Sequence, residues 1–195
     1  MLSFIADNWM ELLGFTTGLA YLYYEYMASP HLWVASVIMP AISMVIYFNK
    51  GIYADFGINV YYLIISVYGW ITWMTHKRQE HGEDMPITHI PQKACALLVC
   101  AFLTIYALLV FILKKYTDST VPYLDSFTTS LSIIAMWMLA RKYVEQWLAW
   151  VAVDAVSSCL YWYKGIYFYC ILYAIYTIVA VFGYRKWLRM MVLKK

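Results

Sequence analysis

The apolar residues of this chain come in blocks of about 17–22, separated by short polar runs, and that is the length a helix needs to cross a bilayer. Inside hydrocarbon there is no water to satisfy backbone N–H and C=O groups, so each block has to close its own hydrogen bonds as an α-helix. Composition agrees: 64% of the residues are hydrophobic and 13% charged, where a soluble domain carries roughly twice that charged fraction. The expectation is an all-α polytopic membrane protein seated in a lipid bilayer. Seven spans are expected, at about 8–27, 32–48, 54–75, 94–113, 121–140, 144–162 and 167–187. Breaks fall where Gly, Pro and charges gather, at ASPH, NKGIY, HKRQEHGEDMPITHIPQK, KKYTDST, ARKY and YKGIY. The opening MLSFIADNWMEL has neither the basic start nor the small-residue cleavage site of a signal peptide and reads as the beginning of the first span.

Seven spans put the two termini on opposite sides, and basic residues choose between them. Lys77, Arg78, Lys93, Arg141, Lys142, Arg185, Lys186, Arg189, Lys194 and Lys195 gather on one side, against Lys50, Lys114, Lys115 and Lys164 on the other. The C-terminus is therefore expected in the cytoplasm and the N-terminus outside. The net charge of +3 lies mostly in these loops and the tail, and nothing in it suggests nucleic-acid binding. Cys95, Cys100, Cys159 and Cys170 sit inside apolar blocks without ligand spacing and read as small core residues.

The chain also repeats itself. YFNKGIYADFGINVYYLIISVYGWITW, from Tyr47, aligns without a gap to YWYKGIYFYCILYAIYTIVAVFGYRKW, from Tyr161, at a separation of 114 residues. Lys50 falls on Lys164, Gly51 on Gly165, Tyr53 on Tyr167, Gly69 on Gly183 and Trp73 on Trp187. Carried backwards, the same separation pairs Trp33 with Trp147, Ser36 with Trp150, Pro40 with Asp154, Ser43 with Ser157 and Glu11 with Asp125. The expected organisation is a three-helix bundle over 8–75, a polar cytoplasmic loop over 76–93, a linker span over 94–113, a second three-helix bundle over 121–187 and a basic tail over 188–195. Both bundles enter the membrane in the same direction. Parallel repeats of this kind are typical of transporters that bind their substrate where the repeats meet.

Within the sixth span, WLAWVAVDAVSSCLY places Trp147, Trp150, Asp154, Ser157, Ser158 and Tyr161 on one stripe at about 100° per residue, with Val, Ala and Leu opposite. An ionised carboxylate in hydrocarbon is costly, so Asp154 is expected to face a cavity or partner. Two tryptophans at helical spacing beside it suggest a flat, cationic ligand. The repeat extends this candidate site to Trp33 and Ser36. In the third span Asp55, Asn59 and Tyr62 share a face, and they correspond to Tyr169, Tyr173 and Tyr176. In the fifth, Asp125, Thr128, Thr129, Ser132 and Met136 form another stripe, from which Thr129 is taken as a further substrate contact. Asp125 and Glu11 stand near helix starts and read as partners of the helix dipole; hydroxyls in such helices commonly bond back to their own backbone. Pro40 is expected to kink the second span.

Enzymatic chemistry has no visible machinery: no HExxH, GxSxG or glycine-rich phosphate loop occurs. His76, His81 and His89 share a loop with Glu80, Glu83 and Asp84, but the spacing fits no standard metal site. Neither a metal nor a cofactor is expected.

The stretch PYLDSFTTSLSIIAMWMLARKYVEQWLAWVAVDAVSSCLYWYKGIYFYCILYAIYTIVAVFGYRKW, with its partner NKGIYADFGINVYYLIISVYGWITW, resembles the Pnu family of bacterial vitamin transporters over nearly the whole chain. LARK, the tryptophans three apart followed by a polar residue, KGIY and the GYRKW end carry the likeness. The resemblance implies the architecture of SWEET sugar transporters, two parallel three-helix bundles joined by a linker helix, in the bacterial inner membrane. It also implies facilitated diffusion of an unphosphorylated vitamin, which a cytosolic kinase traps. The family's riboside carriers tend to have Asn where Asp154 stands and Gln where this chain has Met136. That departure favours thiamine, with its thiazolium charge and aminopyrimidine, over nicotinamide riboside as the alternative, and leaves riboflavin a poorer fit. A non-transporting subunit would tolerate Leu at Asp154, and a proton-coupled pump would need a relay partner that the sequence does not offer. Beyond the vitamin and the bilayer, a homo-oligomer is the remaining partner considered.

Overall fold

The structure is a computed structural model that describes residues 18–49, 53–79, 84–117, 119–165 and 167–193. It is helical over residues 18–26 (α1), then over Leu32–Asn49 (α2), Tyr53–Gln79 (α3), Gln92–Tyr116 (α4), Pro122–Ala140 (α5), Gln146–Tyr163 (α6) and Tyr167–Leu193 (α7). The last six expected spans each hold a helix, and residues 18–26 are the described helical part of the first, whose residues 8–17 lie outside the described residues. The helices start and stop for local reasons. Pro122 opens α5, where its missing N–H costs nothing, and Lys114 and Lys115 close α4 against the negative end of its dipole. Gly165 follows α6 with a φ of +73°, a conformation that suits glycine. Pro40 lies within α2, which continues through it.

Two boundaries differ from the sequence expectation. The third and seventh helices run on to Gln79 and Leu193, so most of the basic tail expected over 188–195 is helix. The charges there alternate with Trp187, Leu188, Met190 and Met191; Lys and Arg are good helix formers, and their long stems let the charge reach water without ending the helix.

The chain divides into two compact units, Met1–Met85 and Pro86–Lys195. In the first, α2 packs on α3; in the second, α4 packs on α5, α5 on α6 and α6 on α7. The linker helix thus belongs with the second unit, and the polar loop expected over 76–93 is split. Its first residues finish α3, where Lys77 pairs with Asp84 at 3.2 Å. Its last part is fastened to the α5–α6 turn: the Thr88 N–H donates to the Lys142 carbonyl at 3.2 Å, and the Val144 N–H donates to the Thr88 carbonyl at 3.0 Å. Glu145 completes the fastening. Its carboxylate accepts from the Ile90 N–H at 3.1 Å and meets His89 Nδ1 at 2.6 Å.

The repeat is written into the turns as well as the sequence. At the end of α1 the N–H groups of Met27, Ala28 and Ser29 donate to the carbonyls of Tyr23, Glu25 and Tyr24. At the end of α5, 114 residues on, Arg141, Lys142 and Tyr143 donate in the same way to Trp137, Leu139 and Met138. Both turns use a left-handed, non-glycine residue, Ala28 at φ 52° and Lys142 at φ 58°. This is the helix-ending pattern that satisfies the last carbonyls by reversing the backbone.

A second device recurs at the same separation. The Trp33 ring lies against Gly69 and meets Trp73 edge-on, with centroids 5.4 Å apart at 88°. The Trp147 ring lies against Gly183 and meets Trp187 at 5.8 Å and 86°. A methyl group at either glycine would come within 2.3 Å or 2.7 Å of the indole. Each repeat therefore closes its second helix on its third through a tryptophan seated on a glycine.

Candidate functional site

Asp154 stands midway along α6 at 7% exposure, with Ser157 one turn later at 8%. Its surroundings come from α7, which runs antiparallel to α6. Ser158 donates to the Cys170 carbonyl at 2.9 Å and fixes the register of the two helices. That register brings a group of phenols to the acid. Tyr161 and Tyr173 stack with centroids 5.2 Å apart at 18° and hydrogen-bond to each other; Tyr176 meets Tyr173 edge-on at 5.8 Å. Both Tyr173 and Tyr176 lie within electrostatic reach of Asp154. Among the described residues no ion pair neutralises the carboxylate. An enclosed negative charge with aromatic walls and hydroxyl donors is suited to a flat cation that carries its own hydrogen-bonding groups.

The tryptophans of the predicted stripe do something else. Trp33 and Trp147, both expected at the substrate site, are 0% and 1% exposed. Each is packed against a glycine and a second tryptophan, so both join neighbouring helices. Trp150 is half-buried and packs on the cluster of Leu98, Ile134, Ala135, Met138, Tyr143 and Ala149 from α4, α5, α6 and the turn between the last two. Ser36 is buried and donates to the Leu32 carbonyl of its own helix at 2.9 Å.

On α5 the neighbours of Thr129 behave alike, with Thr128, Ser130 and Ser132 donating back to Leu124, Ser126 and Thr128. Thr129 itself is half-buried, and Met136 is buried. Asn59 and Tyr62 are half-buried on α3, and Tyr62 meets Tyr61 at 5.8 Å. The side chains of Asp55 and Tyr169 lie outside the described residues.

Asp125 was expected to serve the dipole of α5. It also ties loops together: Ser119 Oγ donates to it at 2.7 Å, and Lys164, from the α6–α7 turn, pairs with it at 3.4 Å. Glu11, Glu80, His81 and Glu83 lie outside the described residues. His89 is engaged with Glu145.

One residue escaped the sequence reading. Glu25, in α1, is a carboxylate at 2% exposure. The phenol of Tyr21, one turn earlier, hydrogen-bonds to it, and Tyr62 lies within electrostatic reach of Tyr21. A lone acid in the last turns of an apolar block was the available signal, but it stands two residues from the expected end of the first span, where a charge is ordinary.

A family profile described as nicotinamide mononucleotide transporter matches residues 8–189. The nicotinamide riboside transporter PnuC of Escherichia coli strain K12 is 26% identical, over 93% of this chain and 85% of that protein. The riboflavin/roseoflavin transporter RibM of Streptomyces davaonensis is 25% identical, over 92% of this chain and 84% of that protein. Among solved structures, the crystal structure of the vitamin B3 transporter PnuC aligns with a TM-score of 0.74, covering 99% of this chain and 86% of that one at 20% identity. That likeness shows a shared fold. None of these three proteins is named for thiamine.

Proposed function

The chain belongs to the nicotinamide mononucleotide transporter family, and from that premise we propose that it carries nicotinamide riboside, an unphosphorylated, cationic vitamin, across the bacterial inner membrane. The observation that carries this reading is Asp154, enclosed in α6 with Tyr173 and Tyr176 of α7 within electrostatic reach. The carboxylate balances the pyridinium charge, a phenol ring stacks on the pyridine, and Ser157 with the phenol hydroxyls offers hydrogen bonds to the ribose. A phosphorylated nucleotide fits less well, because its anionic phosphate would approach a carboxylate that no described cation offsets. Transport is by facilitated diffusion with alternating access, with the N-terminus outside and the C-terminus in the cytoplasm, and a cytosolic kinase traps the product.

Thiamine is the second reading, and Asp154 is the specific observation in its favour: the carboxylate would accept from the aminopyrimidine amino group or balance the thiazolium. None of the named relatives is a thiamine transporter, and the nicotinamide riboside transporter among them supports the riboside reading. Calorimetric titration of the detergent-purified protein with each vitamin decides. Riboside binding with a silent thiamine trace is the expected result. Thiamine binding alone would move the assignment to thiamine, and silence from both would remove the transport reading.

A further inference from the structure

One face of α7 stays uncovered from Ile171 to Arg189. Ile171, Ile175, Ile178, Phe182, Arg185 and Arg189 are all exposed, and steps of four and three residues keep them on a single stripe. In a membrane-spanning helix the apolar part of such a stripe lies against acyl chains, so the arginines that continue it meet what borders those chains. Their depth can be read from the helix itself. Trp162, Tyr163 and Tyr167 are exposed around the α6–α7 turn and form the aromatic belt of one membrane interface. From Tyr167, a rise of 1.5 Å per residue sets Arg185 about 27 Å and Arg189 about 33 Å along the axis. The hydrocarbon ends at about 30 Å, so the pair brackets the opposite interface, where lipid phosphates lie.

Charge and packing agree with that placement. No acid occurs in α7, and among the described residues neither Arg185 nor Arg189 makes an ion pair. Between them Trp187 is fully buried and meets Trp147 edge-on, which fixes the face that the arginines present. The first repeat holds Ile71 and Thr75 at the matching positions, and both are exposed on α3. The fold therefore asks for no charge here, and the arginines serve something outside it. We propose that Arg185 and Arg189 form a docking surface for the phosphate of an anionic phospholipid, whose acyl chain lies along the stripe from Phe182 to Ile171. A guanidinium offers phosphate two parallel hydrogen bonds, and two of them one turn apart on a face without acids complement an anionic headgroup. The orientation proposed above makes this the cytoplasmic leaflet.

The test titrates phosphatidylglycerol into the purified protein in a neutral detergent and reads bound lipid by native mass spectrometry, with phosphatidylcholine and inorganic phosphate as comparisons. The variant is Arg185→Ile with Arg189→Thr, the residues that the first repeat already carries at these positions, and its melting temperature without lipid is expected to match that of the wild type. Lys114→Gln with Lys115→Gln removes the same charge from the other end of the membrane and serves as the control. Expected is a preference for phosphatidylglycerol in the wild type and the control, with a Kd about thirtyfold weaker in the arginine variant. Should that variant melt lower, Arg185→Gln and Arg189→Gln singly carry the test, each expected to weaken the Kd about fivefold. An unchanged Kd in the arginine variants would overturn the proposal. So would an equal loss in the lysine control, which would show diffuse attraction, or a wild type that binds phosphatidylcholine as well. Displacement of the lipid by inorganic phosphate would make the site one for a free anion and overturn the lipid assignment.

Discussion

Charge distinguishes Asp154 from an amide of the same shape. Asn at this position keeps the side-chain volume and a hydrogen-bonding carbonyl but gives up the ion, so Asp154→Asn isolates the electrostatic contribution. Losing a charge-assisted interaction is worth about 1–3 kcal/mol, or roughly a 5- to 150-fold weaker Kd for the cationic vitamin, read by calorimetry. An unchanged Kd would take Asp154 out of the site. Tyr173→Phe removes only the hydroxyl that bonds Tyr161 and keeps the stacked ring. Its expected cost is smaller, about 1 kcal/mol, which separates the aromatic from the polar part of the site in one comparison.

Between helices, the tryptophan-on-glycine contact sets how closely the second and third helices of each repeat approach. At Gly183 a methyl group would stand 2.7 Å from the Trp147 ring, and at Gly69 it would stand 2.3 Å from Trp33. The contacting atoms belong to large, fully packed rings with nowhere to move. Gly183→Ala and Gly69→Ala are each expected to cost about 1–3 kcal/mol through overpacking, measured as a lowered melting temperature in detergent. Melting at the wild-type temperature would show that the rings give way. The fastening of the loop before α4 makes a separate prediction at this scale. Glu145 accepts the Ile90 N–H and holds His89; Glu145→Ala is expected to speed amide exchange at Ile90 and Thr88 while exchange within α4 and α5 stays as it was. Unaltered exchange at Ile90 would mean that the backbone pairing of Thr88 holds the loop without the carboxylate.

At the level of the whole molecule, two copies of one three-helix design carry different polar groups in equivalent places. Leu139 answers to Glu25, and Pro40 answers to Asp154. The proposed orientation rests on the excess of Lys and Arg on the expected cytoplasmic side. Lys164→Cys, in the exposed α6–α7 turn, is expected to react with a membrane-impermeant maleimide in intact cells, and a cysteine at Lys195 only after permeabilisation. The reverse pattern would invert the topology.

Sequence alone determined the helical, membrane-spanning class, the approximate places of the second to seventh spans and the repeat at 114, because block length and self-similarity are properties of a single strand of text. It also marked Asp154, since an acid in mid-span is conspicuous wherever the chain folds. Tertiary structure decided what each polar or aromatic group meets. A helical stripe tells which residues share a face; it does not tell what that face is pressed against. Trp147 and Asp154 share a stripe, yet one is seated on Gly183 and the other among the tyrosines of α7. Glu25 passed unnoticed in the sequence, and only its 2% exposure in the folded chain shows it enclosed. Asp125 read as a dipole partner, and its link to Lys164 across 39 residues was invisible, because contacts between distant segments depend on how the helices pack rather than on any local pattern.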